Sequence, residues 1–387
     1  MNIIFYCQYV WGMGHLFRSI EFARALSDHK VTLIAGGQAV DVDLPDHVNL
    51  LRLPVLYMDE KFTTLISGEP GKNVAEIQRI RKEILFSTLA QQQPDLFIVE
   101  LYPFGRSIFG FELEPVLQAI RDGEFGNVKS VCSLRDILVE KKHPDAYESR
   151  VLKVLNARFD LLLVHSDPNL QPLDETFARV DDINIPMHYT GFITPDSLPE
   201  AGVRLRQDLG LRPDEKLIVA SAGGGRSGFQ LLKGVLNAYG LLRDSHLLRL
   251  EVFTGPFAGD SEFEKLKALA TSGIRVRKFT NHFLDYLYAA DLSISLAGYN
   301  TCMNLLVTKV PALVCPYTRQ REQPMRVEKI KNFIPLKILS ESDLNPVQLS
   351  NHINQMLSQT HSSAPVPINL AGAPHAAVFL KKWIDGA

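Results

Sequence analysis

Between Ala297 and Met325 the chain reads AGYNTCMNLLVTKVPALVCPYTRQREQPM. The run predicts a strand end, a glycine turn, a helix, a buried strand and then a polar loop feeding another helix. A glycine turn at a helix start presents free backbone N–H groups and the positive end of the helix dipole, which suits a diphosphate. Here that turn is Gly298, and the helix opens at Tyr299, Asn300 and Thr301. The later loop supplies Arg319, Arg321, Glu322 and Gln323, polar groups able to grip the hydroxyls of a sugar. A pyrophosphate seat followed by a hydroxyl-reading loop points to a nucleotide sugar.

Two further glycine runs follow predicted strands. Gly12-Met13-Gly14-His15 lacks the third glycine of the dinucleotide fingerprint, and no acidic residue ends the second strand at Ile34-Ala35-Gly36-Gly37, which argues against NAD. His15 is either a helix-start histidine satisfied by local backbone or a neutral imidazole placed to accept the proton of an attacking hydroxyl. Gly223-Gly224-Gly225-Arg226-Ser227-Gly228 permits close backbone approach, with Ser227 expected to cap the next helix; a plain tight turn is the alternative. It lacks the Lys-Ser/Thr ending of a Walker loop. Thr254-Gly255-Pro256 ends the next strand on the same rim. Glu100 ends one strand and Arg135-Asp136 follows another, so they are buried caps or ion pairs, or they orient His15 or serve as the base. Asp41-Val42-Asp43 reads as a solvated loop; no metal site and no cofactor is expected.

Parallel sheets would position these groups. Short apolar runs alternate with longer amphipathic ones, the pattern of βα units. Strands are predicted at Asn2–Tyr6, Val31–Ala35, Val48–Leu53, Leu96–Glu100, Lys129–Ser133 and Leu161–His165. The scheme restarts with Leu217–Ser221, Leu250–Phe253, Arg275–Lys278, Leu292–Ser295 and Ala312–Val314, alternating with helices such as Phe229–Leu242 and Glu262–Ala270. The expected fold is α/β, with two doubly wound Rossmann-like domains facing a central cleft. Residues 1–192 form the first domain and 193–368 the second, with a Pro-rich linker at Thr194–Glu200. Residues 369–387 follow the low-complexity stretch Gln359–Pro367 and are expected to form a helix packing back at the junction.

The 387 residues are 46% hydrophobic and 22% charged, with a net charge of −2, so no bulk electrostatic grip on nucleic acid is indicated. Four cysteines without a C-x-x-C pair read as buried thiols in a reducing cytosol. The N-terminus enters a strand directly, without signal-peptide features, and no apolar run approaches the ~20 residues of a membrane span. A cytoplasmic protein is expected. Tyr102, Phe104, Ile108, Phe109 and Phe111 around Arg106 read as core packing, with peripheral contact at the inner face of the membrane left open.

With these pieces in place the chain resembles the GT-B glycosyltransferases. It is most similar to the branch containing the peptidoglycan N-acetylglucosaminyltransferase that makes lipid II, and to a MurG-like group of glycosyltransferases within it. The markers are GMGHLFRS at 12–19, YPFGR at 102–106, SLRDIL at 133–138, SAGGG at 221–225, AGYNT at 297–301 and REQPMR at 321–326. The resemblance puts the loop Gly12–His15 beside the reacting centre and makes His15 a candidate for contact with acceptor or donor phosphate; Gly12, Gly14, Arg18, Arg106 and Arg135 are expected on the acceptor side. It puts Gly224 and Gly225 against the diphosphate, Phe279 at the strand end that reads the base, and Gly298 to Thr301 at the phosphate-facing helix. Glu322 and Gln323 match the pair that contacts the donor sugar. Asn304 stands where the relatives place a glutamate that pairs with the ribose hydroxyls. An amide is the weaker acceptor, since charge-assisted bonds are roughly twice as strong as neutral ones.

The resemblance implies an inverting, metal-independent transfer of a sugar from a nucleotide donor, with UDP as the carrier, to a hydroxyl acceptor that is a lipid, a saccharide or a small metabolite. Arg226 and the main-chain amides would stabilise the leaving diphosphate, and His15, Glu100 or Asp136 would take the acceptor proton. Two alternatives stand beside it. One is a nucleotide-sugar hydrolase using water, suggested by Gly14-His15-Leu16-Phe17-Arg18. The other is a non-catalytic partner subunit, suggested by Asn304.

Overall fold

The structure, a computed structural model, describes residues 1–10, 12–59, 63–196, 198–242, 247–318, 320–359 and 366–386. Arg319, Ser197 of the linker and residues 360–365 of the low-complexity stretch lie outside the described residues. The chain divides into two compact units, Met1–Ile193 with Ile368–Ala387, and Thr194–Pro367.

In the first unit the strands are β1 (Asn2–Cys7), β2 (Lys30–Ala35), β3 (Val48–Arg52), β4 (Leu56–Met58), β5 (Leu65–Ser67), β6 (Leu96–Glu100), β7 (Lys129–Arg135), β8 (Leu161–His165) and β9 (Met187–Tyr189). The helices are α1 (Gly14–Ala25), α2 (Val74–Gln92), α3 (Gly110–Arg121) and α4 (Pro144–Arg158). Seven strands pair in the order β3-β2-β1-β6-β7-β8-β9, while β4 and β5 pair antiparallel apart from them. Every neighbour within the large sheet is parallel. Strand order therefore reverses between β1 and β6. A sheet covered on both faces reads as continuous apolar sequence, and β6 and β8 are buried at every residue. Tyr6, Phe97, Val99, Leu134 and Leu162 share one core with Leu85 of α2, Leu113 and Val116 of α3, and Val151 and Leu155 of α4. Tyr102, Phe104 and Phe109 are buried, which fits core packing for that aromatic group.

The second unit repeats the plan with α5 (Pro199–Asp208), β10 (Lys216–Ser221), α6 (Phe229–Leu242), β11 (Leu248–Phe253), α7 (Asp260–Ala268), β12 (Ile274–Arg277) and α8 (Phe283–Ala289). It continues through β13 (Leu292–Leu296), α9 (Tyr299–Thr308), β14 (Ala312–Cys315), α10 (Glu322–Ile330), β15 (Leu336–Ile338) and α11 (Pro346–Ser358). Its parallel sheet runs β12-β11-β10-β13-β14-β15, so order reverses between β10 and β13. The last helix, α12 (Gly372–Asp385), belongs to the first unit and packs along α1. Phe379 of α12 stacks on His188 with ring centroids 3.8 Å apart.

The apolar runs located the long buried strands to within a residue or two. β4, β5, β9 and β15 were not anticipated; each has three residues and is largely half-exposed, too short and too polar to show a period.

Candidate functional site

Doubly wound sheets bind ligands outside the carboxyl ends of their strands, where strand order reverses. In the first unit that point lies between β1 and β6. The loop after β1 leads into α1, whose second residue is His15, and β6 ends on Glu100. Nδ1 of His15 lies 2.7 Å from Oε1 of Glu100. Arg18, one helical turn on, donates from Nη2 to the same oxygen, and Nη2 also lies 3.1 Å from Nδ1. Glu100 is 1% exposed, while 15% of the His15 side chain stays accessible.

The chemistry of this pair follows from its surroundings. Burial, aided by the positive charges of Arg106 and Arg18, lowers the pKa of His15 to about 4 against the pull of Glu100. Burial also opposes ionisation of Glu100, but His15 when protonated, Arg18 and Arg106 outweigh it and hold the carboxyl well below its ordinary range. At neutral pH the imidazole is therefore uncharged and faces a carboxylate. Two acceptors at 2.7 Å would repel, so Nδ1 carries the proton and donates to Oε1, leaving the Nε2 lone pair as the basic site. The second oxygen of Glu100, Oε2, is buried with no hydrogen-bond partner among the described residues.

Other predicted groups stand on the same rim. Among the described residues a Cβ at Gly12 would meet nothing within 4 Å, and Gly14 is the first residue of α1. Arg106, at φ 60°, donates from Nε to the Gln8 carbonyl at 2.8 Å. Arg135 closes β7, two residues further than predicted, and Asp136 is buried just beyond it; the group that meets His15 in the hydrogen-bond geometry above is Glu100. Sequence reasoning missed His165. It ends β8 fully buried, with Nε2 2.7 Å from Oγ of Ser133 and Nδ1 2.9 Å from Oγ1 of Thr190. Phe22 of α1 packs edge-on against its ring at 5.3 Å. Residues 15, 18 and 22 share one face of α1, so this face meets Glu100 at its start and His165 one turn later. A histidine ending an apolar strand was the available signal.

In the second unit the reversal lies between β10 and β13. Gly223 to Gly228 follow β10, and the turn is backbone against backbone. Gly225 has φ 93°, and a Cβ there would come 2.6 Å from the Thr254 carbonyl oxygen. The Phe257 amide donates to the Gly224 carbonyl, and the Arg226 guanidinium lies 5.8 Å over the Phe257 ring. Ser227 is exposed, and α6 starts two residues later at Phe229. Thr254 is 2% exposed and its amide donates to the Arg277 carbonyl, so it shapes the turn. Phe279 follows β12, half-buried.

Beyond β13, Gly298 precedes α9 with no side-chain cap and φ −63°. Among the described residues, a Cβ on Gly298 would find only Thr301 Oγ1, at 3.9 Å, within 4 Å. Tyr299 is buried, and Asn300 and Thr301 are half-buried. One turn on, Asn304 is 7% exposed and its Oδ1 has no hydrogen-bond partner among the described residues. Glu322 begins α10 and accepts from Nη2 of Arg326 at 3.0 Å, while Gln323 Oε1 accepts the Tyr317 amide at 2.9 Å. Arg326 was not singled out from sequence. It is 2% exposed, lies 5.6 Å over the Tyr299 ring and reaches the Ala297 carbonyl at 3.4 Å, tying the α9 turn to the start of α10.

Residues 222–378 match the glycosyltransferase family 28 C-terminal domain. A stretch of 114 residues is 33% identical to the UDP-N-acetylglucosamine--N-acetylmuramyl-(pentapeptide) pyrophosphoryl-undecaprenol N-acetylglucosamine transferase of Carboxydothermus hydrogenoformans. That stretch is 29% of this chain, and the match spans 30% of the relative's length. Among solved structures, MurG of Acinetobacter baumannii superimposes with a TM-score of 0.56 at 14% identity, covering 98% of this chain and 99% of that one. The UDP-GlcNAc 2-epimerase of Methanocaldococcus jannaschii gives 0.60 at 11% identity, covering 99% and 100%. Residues 222–378 thus match the glycosyltransferase family 28 C-terminal domain, in a chain whose α/β fold is similar to those of solved glycosyltransferases.

Proposed function

We propose that this chain is a glycosyltransferase that moves a sugar from a nucleotide donor to a hydroxyl acceptor, with inversion and without a metal. The match of residues 222–378 to the family 28 C-terminal domain carries the reading. The relative from C. hydrogenoformans is named for a UDP-linked donor and a polyprenyl pyrophosphoryl acceptor, which supports UDP as the carrier here and a lipid or saccharide as the acceptor.

The second unit is the donor side. The diphosphate lies against Gly224, Gly225, Arg226 and Ser227 and the α9 start at Gly298 to Thr301, with Phe279 at the base and Asn304 at the ribose. Main-chain amides and Arg226 stabilise the charge that develops on the leaving diphosphate, the task a metal performs in other transferases. Glu322 and Gln323 read the sugar, held in place by Arg326.

The first unit is the acceptor side, with Gly12, Gly14, Arg18, Arg106 and Arg135 lining it. Nε2 of neutral His15 takes the hydroxyl proton as the acceptor oxygen bonds to the anomeric carbon and the bond to the diphosphate breaks. A single displacement inverts that carbon. Glu100 fixes the tautomer and stabilises the imidazolium that forms. The chain is assigned to the cytoplasmic side, with peripheral membrane contact where the acceptor is lipid-linked; among the described residues no helix is long and apolar enough to cross a membrane.

The test is UDP release from a panel of UDP-sugars, with and without saccharide and lipid acceptors. Acceptor-dependent release supports transfer. Equally fast release in water assigns hydrolysis, and failure of every nucleoside diphosphate and nucleotide sugar to bind sinks both.

A further inference from the structure

Arg81 of α2 and Glu112 of α3 form an ion pair that is fully buried in the first unit, and neither residue has a part in the chemistry above. The pair is bidentate. Arg81 donates from Nε to Oε2 at 2.8 Å and from Nη2 to Oε1 at 2.5 Å, and the Tyr6 hydroxyl also donates to Oε1. Replacing a buried ion pair by apolar groups of similar volume is often neutral or stabilising, so stability alone does not account for this one.

What the pair holds is Gln8, a fully buried residue directly after β1. Arg81 Nη2 donates to Gln8 Oε1 at 2.6 Å, and Gln8 Nε2 donates to the carbonyls of Gly36 and Tyr9 at 2.6 and 3.1 Å. Arg81 Nη1 donates to the Pro54 carbonyl at 2.9 Å, so one guanidinium joins the segments that follow β1, β2 and β3. A Cβ at Gly36 would come 1.9 Å from Gln8 Oε1, so only glycine leaves the amide its place. The main chain of Gln8 is engaged as well: its carbonyl accepts from Nε of Arg106 at 2.8 Å. Gln8 opens the connection that runs from β1 to His15 on α1, and Arg106 stands on the segment that leaves Glu100 at the end of β6. One residue therefore ties together the two segments that deliver His15 and Glu100 to each other.

We propose that Gln8, locked by the Arg81–Glu112 pair, is a positioning residue that holds the β1–α1 connection against the segment after β6 and so sets the contact between His15 and Glu100. The use of that contact in catalysis rests on the glycosyltransferase reading; the positioning itself does not. A buried polar network whose members are all paired admits one arrangement, because any shift strands a donor or an acceptor away from water.

The test uses the full chain with isotope-labelled histidine, the His15 resonance being identified by its loss in His15→Asn. Gln8→Met keeps the side-chain length and the ion pair but removes the side-chain hydrogen bonds. Arg81→Lys keeps a charge opposite Glu112 but, without the fork, cannot reach Gln8 and Pro54 at once. In both, the ring should lose its fixed setting among Glu100, Arg106 and Arg18, and its titration should move from about 4 toward the ordinary 6.5. Turnover should fall at least about tenfold in kcat with the donor KM unchanged, the mark of a misplaced reacting group. Arg79→Met, which breaks an exposed pair on the same helix, should alter neither readout. If Arg81→Lys does not fold, Gln8→Met decides, since it leaves the ion pair intact. A variant that melts earlier yet keeps the His15 titration near 4 and the wild-type kcat would reduce the network to a support of the fold and overturn the proposal. A wild type that turns over no nucleotide sugar would remove the glycosyltransferase reading and leave the titration to judge the positioning.

Discussion

His15 and Glu100 meet across the strand-order reversal of the first sheet, Nδ1 to Oε1 at 2.7 Å, with Arg18 on the same oxygen. Because desolvation lowers the imidazole pKa to about 4, the basic nitrogen is free of a proton throughout the neutral range. Turnover should therefore be flat near neutrality and fall only as pH drops toward about 4. His15→Ala should lower turnover by roughly 10²–10⁴, the usual scale of general-base catalysis. Glu100→Gln removes the carboxylate that supports the imidazolium, so it should cost turnover and move the acid limb to still lower pH. Unchanged turnover in His15→Ala would dismiss it as the base.

Two histidines with depressed pKa values also make folding sensitive to acid. His15 falls to about 4 and His165 to about 3, both chiefly through burial, so each is depressed below its unfolded value. The unfolded chain binds protons first as pH falls below about 6.5, and stability is lost from there down to the folded pKa of each group. Each histidine contributes a slope of about 1.4 kcal/mol per pH unit in its window. Denaturant titrations between pH 7 and 4 should show this loss, and His165→Phe should shallow it. An identical slope in that variant would contradict the assignment.

Gly225 and Gly298 are constrained for opposite reasons. Gly225→Ala forces a Cβ against the Thr254 carbonyl at φ 93°, and should cost at least about 2 kcal/mol in urea unfolding. Gly298→Leu adds its side chain at φ −63° where, among the described residues, a Cβ meets only Thr301 Oγ1 at 3.9 Å, so the protein should fold normally. Nucleoside diphosphate affinity should nonetheless drop at least about tenfold, since the added group occupies the proposed phosphate seat. Calorimetry and thermal melting together separate the two outcomes.

Asn304 should show function and stability pulling apart. Its buried Oδ1 has no partner among the described residues, and replacing such a group by an apolar one of similar shape can be neutral or stabilising. Asn304→Leu should hold or raise the melting temperature while weakening UDP binding. Asn304→Glu should tighten UDP by about tenfold if the ribose lies there, because a carboxylate accepts hydroxyls more strongly than an amide. Unaltered UDP affinity in both variants would move the ribose elsewhere.

Arg326→Lys should behave unlike a conservative change. Lysine keeps the charge but cannot hold Glu322 and the Ala297 carbonyl together while lying over Tyr299. Donor affinity should fall several-fold with a stability loss of about 1.5–3 kcal/mol, the scale of hydrogen bonds to charged groups. Binding calorimetry and urea unfolding check both arms.

Much of this was legible in the chain. Residues such as Leu96–Glu100 and Leu161–His165 lie in strands covered on both faces, so burial writes itself as an unbroken apolar run. Glycine runs after those strands marked the ligand-bearing rim, because only glycine tolerates the backbone approach seen at Gly225. Periodicity and turn chemistry act over a few residues, and the sequence determined what such local rules govern: two doubly wound sheets and the loops that end them. Tertiary structure alone decided which rim groups meet. Glu100 rather than Asp136 was found hydrogen-bonded to His15, and buried His165 and Arg326 were joined to partners far along the chain or in the next turn. Those outcomes depend on strand order and register, which bring together side chains tens of residues apart, and no pattern confined to neighbouring positions encodes such a distance.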